Sequence, residues 1–167
     1  KFHFYYSSQE SKLNDVRMEI MNKINDSKQI KSLSSTVFDA FSDIISSLVG
    51  PDISAQKSTN LVIQPPESSF FSELHTDAPG NSEFELVVWV PMVNCYEGKS
   101  FYIIDKDNSF KLLNSYKKGE ITSWKDFRQS SLKFANEVSV PFGHALFFWT
   151  GLLHGSFVNT SCETRWS

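Results

Sequence analysis

Residues 84–93 read Phe-Glu-Leu-Val-Val-Trp-Val-Pro-Met-Val, a run that is mostly β-branched or aromatic. Such side chains fit the pleated surface of a sheet, so the run predicts a buried strand. Short runs of similar character, bounded by glycine or proline turns, stand at 61–64, 70–75, 100–105, 138–140, 145–149, 154–158 and 164–167. Many short strands with such turns favour a sandwich or barrel, and a jelly roll is the version that encloses a cavity.

The chain before these strands has a helical pattern. Leu13, Val16, Ile20 and Ile24 recur at helical spacing, and apolar residues recur more strongly over 37–48. A further helix is predicted near residues 123–135, whereas the rest of 106–136 is polar and irregular. The pattern therefore predicts a mostly β fold with N-terminal helices, a cupin-like double-stranded β-helix.

We expect one domain over residues 1–167. Its helical support would cover 1–55 and its jelly-roll core 56–167, with a truncation of the core at the C-terminus left open. The 167 residues suffice for one sizeable core.

Composition excludes several classes of function. The net charge is −3 and no basic stripe is present, which argues against a nucleic-acid partner. No apolar run approaches the roughly 20 residues of a membrane span. The two cysteines, Cys95 and Cys162, form no metal-binding or disulfide pattern, so a reducing cytoplasm is the expected location. The expected partner is a small-molecule substrate.

The sharpest local feature is His75-Thr76-Asp77. In extended backbone, residues i and i+2 point to the same face, so the imidazole and the carboxylate would converge. A second histidine from a distant strand would complete the two-His, one-carboxylate set of non-haem Fe(II) oxygenases. Three open positions would then serve a bidentate 2-oxo acid and O₂.

Two histidines compete for that third ligand position. His144 follows Gly143 at a turn, where a solvent-facing role is expected, whereas His154 opens a strand segment. Arg165 follows His154 on a later strand and could pair with the far carboxylate of 2-oxoglutarate. Ser167 would share the strand face of Arg165. We favour His154, with His144 as its rival.

These residues resemble the phytanoyl-CoA dioxygenase-like branch of the Fe(II)/2-oxoglutarate oxygenases. The resemblance covers roughly residues 60–167 and rests on His75-Thr-Asp77, the strand with Trp89, the runs Gly143-His-Ala-Leu-Phe-Phe-Trp and Leu-Leu-His154-Gly-Ser, and Arg165, in that order. The segment 94–105 is also similar to bacterial oxygenases of sugar or polysaccharide biosynthesis. The family often has an acidic residue where His144 stands.

The resemblance implies a site and a reaction. Iron would bind His75, Asp77 and His154, Arg165 would bind 2-oxoglutarate, and Trp89 would lie near this cosubstrate. Ser167 fits the Arg-x-Ser pattern of related oxygenases. The implied reaction is oxidation of a small organic substrate, a sugar-derived one included, by Fe(II), 2-oxoglutarate and O₂.

Other residues are weaker candidates. Lys99 could contact a carboxylate inside the cavity, although a solvated loop lysine is the favoured interpretation. Gln64 could donate to the cosubstrate or be an ordinary edge-strand residue. Glu83 and Glu85 would share a strand face, most simply a solvated one.

Two other classes of function stay open. A cupin-like metal-dependent isomerase would need no Arg165. A non-catalytic jelly roll that binds carbohydrate would need no iron ligands.

Overall fold

The computed structural model describes residues 9–27, 33–68, 71–77 and 85–167. It divides into two compact units, Lys1–Ile63 and Gln64–Ser167. The predicted boundary between helical support and core, at 55/56, lies a few residues earlier. The predicted loop at 78–83, and with it Glu83, lies outside the described residues.

The first unit contains the two predicted helices, α1 (Glu10–Asp26) and α2 (Leu33–Val49). Leu13 of α1 and Ile45 of α2 are buried, as their helical spacing requires. The Arg17 guanidinium donates to Asn60 Oδ1 and to the Leu61 carbonyl at 3.2 Å each, which fastens α1 to the segment that leaves this unit. The two observed helices confirm the predicted N-terminal helices.

The second unit contains short strands and two helices. Its elements in chain order are β1 (Ile63–Gln64, at the boundary), β2 (Leu86–Trp89), β3 (Phe101–Ile103), α3 (Lys106–Lys117), α4 (Trp124–Leu132), β4 (Asn136–Glu137), β5 (Leu146–Trp149), β6 (His154–Ser156) and β7 (Arg165–Trp166). No strand in this part of the chain exceeds four residues. The sheets are therefore small and fragmented, rather than the two long sheets of a complete jelly roll.

The described residues form three sheets. β2 pairs antiparallel with β5, in the register Leu86↔Trp149 to Trp89↔Leu146. β3 lies between β4 and β6 and is antiparallel to both. β1 pairs with β7. The pairing joins strands that are distant in sequence, as expected of a β-sandwich or barrel.

Residues 72–75 continue the β3–β6 sheet along the other edge of β6. Ser156 N donates to the Ser72 carbonyl at 2.9 Å, and His75 and His154 exchange both of their backbone hydrogen bonds at 2.9 Å. β6 is consequently held from both edges, by β3 and by the segment 72–75.

The core of this unit lies beneath those strands. Its buried members are Leu74, Tyr102, Ile104, Leu112, Phe127 and Leu153. Helix α4 confirms the helix predicted near 123–135, whereas α3 was not predicted. The Asp105 carboxylate caps α3 by accepting from Asn108 N at 2.9 Å, which offsets an unpaired N–H of the first turn.

The described residues contain no helix with the length and apolar character needed to span a membrane. Both cysteines are free thiols, Cys95 buried and Cys162 exposed.

Candidate metal centre

His75, Asp77 and His154 converge on one point. One potential ligand atom from each lies within 4.8 Å of the other two. Asp77 stands between the histidines, with Oδ1 3.5 Å from His75 Nε2 and Oδ2 3.5 Å from His154 Nε2. The imidazole centroids are 4.2 Å apart. The backbone bridge between His75 and His154 brings these distant residues together, and the i, i+2 spacing brings Asp77 to the same place.

Both imidazoles are held in the same way. His75 Nδ1 lies 2.7 Å from the Glu73 carbonyl and His154 Nδ1 lies 2.9 Å from the Leu152 carbonyl. A carbonyl oxygen can only accept, so each Nδ1 carries a proton, and in the neutral imidazole the lone pair is then on Nε2. Two imidazole lone pairs and a carboxylate form a donor set suited to a divalent first-row metal.

The side chains of the three candidate ligands differ in how far they are exposed to solvent. The His154 side chain is 9% exposed, against 41% for His75 and 34% for Asp77. Burial is the main cause of a lowered pKa for His154, and the neighbouring His75 lowers it further. The Leu152 carbonyl and Asp77 act in the opposite direction. The net lowering favours the neutral imidazole that a metal requires.

Gly155, which follows His154 on β6, lets this strand lie close to Tyr102 and Ser72. A Cβ at position 155 would lie 2.6 Å from Tyr102 Oη and 3.0 Å from the Ser72 carbonyl. A side chain would therefore push β6 away from its neighbours on both sides.

His144 is exposed at its turn, and its backbone N–H donates to the Pro141 carbonyl at 3.2 Å. The described residues place His154, and not His144, with His75 and Asp77.

Arg165 lies on β7 and is 3% exposed. Its Nη1 donates to the Ser100 carbonyl at 2.8 Å, while its buried Nε has no hydrogen-bond partner among the described residues. Burial lowers the pKa of Arg165 to about 10, so the guanidinium stays charged at neutral pH. Within the described ranges no carboxylate forms an ion pair with it, which is unusual because buried charges are normally paired.

Other predicted residues cluster by β1 and β7. Gln64 is 1% exposed; its amide donates to the Phe157 carbonyl at 2.7 Å and its Oε1 is buried without a described partner. Ser167 Oγ is likewise buried and has no partner in the described part of the chain.

Trp89 connects to the metal ligands through aromatic contacts. Its indole is 4.6 Å from the Phe101 ring, Phe101 is 5.9 Å from Phe148, and Phe148 is 5.0 Å from the His154 ring. These contacts form a continuous apolar path from β2 to the metal centre.

Lys99 is not the solvated loop lysine expected from the sequence. It is 2% exposed rather than solvated, forms an ion pair with Glu163, and lies 5.7 Å from the Tyr96 ring centroid. Glu163 was not singled out from the sequence, because nothing in the local pattern indicates a partner so far along the chain.

The backbone carbonyls of Glu73 and Leu152 were also missed. Each stands two residues before a ligand histidine, and an i−2 carbonyl carries no residue-type signal. Two cavities in the described residues lie elsewhere: one of about 470 Å³ is lined by Tyr96, Glu97, Glu137, Val138 and Ser139, and one of about 280 Å³ belongs to the first unit.

No protein-family model and no curated protein matches this chain. Solved structures do. A non-haem monooxygenase, ThoJ, solved as a nickel complex, is 21% identical over 76% of this chain and 46% of its own, with a TM-score of 0.51. EvdMO1 is 11% identical over 93% of this chain and 42% of its own, with a TM-score of 0.55.

An α-ketoglutarate-dependent carbocyclase, SnoK from nogalamycin biosynthesis, is 16% identical over 64% of this chain and 44% of its own, with a TM-score of 0.47. This chain thus spans less than half the length of each of these proteins. The two structures with TM-scores above 0.5 show that this chain has a fold like that of the non-haem monooxygenase ThoJ and of EvdMO1.

Proposed function

We propose that this chain forms the catalytic core of an Fe(II)- and 2-oxoglutarate-dependent oxygenase that hydroxylates a small organic substrate. The observation that carries the proposal is the convergence of His75, Asp77 and His154 with both Nε2 lone pairs directed at the same point. The fold shared with non-haem oxygenases supports it.

The donor set fits iron. His75, Asp77 and His154 would hold the ion, and two imidazoles with one carboxylate are the donor set typical of non-haem Fe(II) oxygenases. Bound there, Fe(II) supplies activation of O₂ coupled to oxidative decarboxylation of 2-oxoglutarate. The chain fixes the ligand geometry through the Glu73 and Leu152 carbonyls, which hold the required tautomer.

The β1–β7 end fits the cosubstrate. A buried guanidinium without a described acidic partner is stabilised by a carboxylate that it can bind through two N–H groups. In this proposal Arg165 holds the distal carboxylate of 2-oxoglutarate, and Ser167 and Gln64 offer further hydrogen bonds. Trp89 covers its apolar part, and Lys99 adds positive charge beside it.

The aromatic path serves to keep water away. Phe101 and Phe148 separate Trp89 from His154 with apolar rings, and a dry surrounding strengthens the electrostatic contacts of bound groups. Arg165 orients the cosubstrate relative to the metal, and Asp77 offsets the positive charge of the ion.

The finer assignment follows the sequence resemblance. We assign the chain to the phytanoyl-CoA dioxygenase-like branch, with a single jelly-roll oxygenase domain and a sugar-derived substrate. We place it in the cytoplasm, with no nucleic-acid partner. The free thiols of Cys95 and Cys162 are compatible with a reducing compartment.

The test combines metal binding and turnover. The purified chain is titrated with Fe(II) without oxygen, and succinate release from 2-oxoglutarate is then measured in air with candidate sugar-derived substrates. We expect tight iron binding by the wild type and by His144→Ala, the matched control, but not by His154→Ala. Absence of iron binding by the wild type would overturn the proposal.

A further inference from the structure

Two of the three metal ligands rest on one short turn, residues 150–153 between β5 and β6. Asp77 N donates to the Thr150 carbonyl at 3.0 Å, and the Leu152 carbonyl accepts from His154 Nδ1 at 2.9 Å. Two carbonyls of the same turn therefore hold the backbone of one ligand and the ring of another.

The turn is fastened on both sides. Leu152 N donates to the Trp149 carbonyl at 3.1 Å, and Thr150 N lies 3.4 Å from the Glu85 carbonyl. Leu153 N donates to Ser109 Oγ at 3.0 Å, and this hydroxyl donates in turn to the Ile104 carbonyl at 3.0 Å. Ser109 is fully buried, so helix α3 contributes an internal anchor rather than a solvent-facing contact.

Gly151 of the turn lies against the side chain of Trp149. A Cβ there would lie 2.2 Å from Trp149 Cη2 and 2.4 Å from Cζ3, well inside van der Waals contact. The indole thus lies directly on the glycine, and Phe110 of α3 approaches the indole with a centroid separation of 5.4 Å. A larger residue at position 151 would therefore require the indole or the turn to shift.

We propose that Trp149 and Gly151 are positioning residues of the metal centre: the indole lies on the glycine and fixes the turn whose carbonyls align Asp77 and His154. This inference rests on the proposed function, because it requires that the three side chains bind a metal. Hydrogen-bond partners of metal ligands commonly change metal affinity by about 10–100-fold.

The experiment measures metal affinity and coordination instead of turnover. The full chain is titrated with Ni(II) by calorimetry, and the visible absorption of its Co(II) form is recorded. Gly151→Ala is expected to bind Ni(II) about 10–100-fold more weakly and to shift the Co(II) bands, since the clash displaces the turn. Val140→Ala, a substitution at a buried residue whose backbone pairs with Cys95, is the control: it should lower the melting temperature and leave both readouts unchanged.

A double variant tests the coupling. Trp149→Leu removes the indole and its support, so it should weaken Ni(II) binding by itself. Gly151→Ala/Trp149→Leu should bind as well as Trp149→Leu alone, because the added methyl group no longer meets a ring. Effects that multiply would contradict the proposed contact.

The outcomes separate the two proposals. Failure of the wild type to bind Ni(II), Co(II) or Fe(II) would overturn the proposed function. Wild-type binding with unchanged affinity and unchanged Co(II) bands in Gly151→Ala would overturn only the inference. If Gly151→Ala does not fold, unchanged metal affinity in Trp149→Leu would overturn it equally.

Discussion

The metal centre and the β1–β7 end treat buried polar atoms in opposite ways. At the metal centre each histidine Nδ1 has a backbone carbonyl partner. At the β1–β7 end Arg165 Nε, Gln64 Oε1 and Ser167 Oγ are buried without partners among the described residues. The first region is shaped by the backbone, whereas the second is shaped for a polar group that brings its own partners.

The largest effect is expected at Asp77, the ligand that faces both imidazoles. Asp77→Asn removes the negative charge with little change of shape, so we expect at least a roughly 100-fold loss of Fe(II) affinity and no detectable succinate release. Anaerobic titration with Fe(II) measures the first. Near wild-type affinity would show that the two imidazoles suffice, and the metal centre would not be the three-ligand site described.

Arg165 tests the other region. Arg165→Met keeps the bulk and removes the charge, and a charge-assisted contact of about 1.5–3 kcal/mol corresponds to a roughly 10–100-fold higher KM for 2-oxoglutarate. Metal affinity should not change, because Arg165 contacts none of the three ligands in the described structure.

Two variants, Arg165→Met and His75→Ala, separate the alternative functions. Unchanged turnover in Arg165→Met would favour a cupin-like isomerase. Carbohydrate binding without oxidative activity, unaltered in His75→Ala, would favour a non-catalytic jelly roll.

A smaller effect is expected at Glu163, the acidic partner of Lys99. Its side chain is 65% exposed, so the pair is screened on one side, although Lys99 is buried. Glu163→Gln should lower the free energy of unfolding by about 1 kcal/mol, measured by urea denaturation, and leave Fe(II) affinity unchanged. A loss of iron binding would mean that the two regions are not independent.

The smallest effect concerns pH. The pKa of His154 lies below its ordinary value of 6.5 in the folded chain, so the unfolded chain binds more protons near that pH. The contribution of His154 to stability is present above pH 6.5 and is lost as the pH falls through 6.5 toward the lower folded value. Melting temperatures measured with a chelator should therefore fall less steeply with decreasing pH in His154→Asn than in the wild type. Identical slopes would contradict this assignment.

The sequence predicted the convergence of His75, Asp77 and His154 better than the fold around them. The i, i+2 spacing of His75 and Asp77 is local, and the strand texture around His154 is distinct, so both could be predicted from the pattern. Helix α3 was missed because its apolar residues are few, although Asp105 offered a capping signal. The strands came out shorter than predicted, because a run of β-formers does not specify how many residues find pairing partners.

Lys99 shows another limit. A lysine beside a glycine turn is usually solvated, and its burial here depends on a carboxylate 64 residues away in the sequence. No local pattern predicts such a partner. The roles of Lys99, Gln64, Trp89, Ser167 and Arg165 therefore remain predictions for the experiments above.

The pairing of segment 72–75 with β6 also bears on how the protein folds. Ser72 N donates to Ser156 Oγ at 2.8 Å across 84 residues of chain, so the ligands meet only after that long loop has closed. We expect the metal centre to be among the late structures to assemble. An ion that binds only the assembled form should slow unfolding and raise the melting temperature in proportion to the logarithm of its concentration.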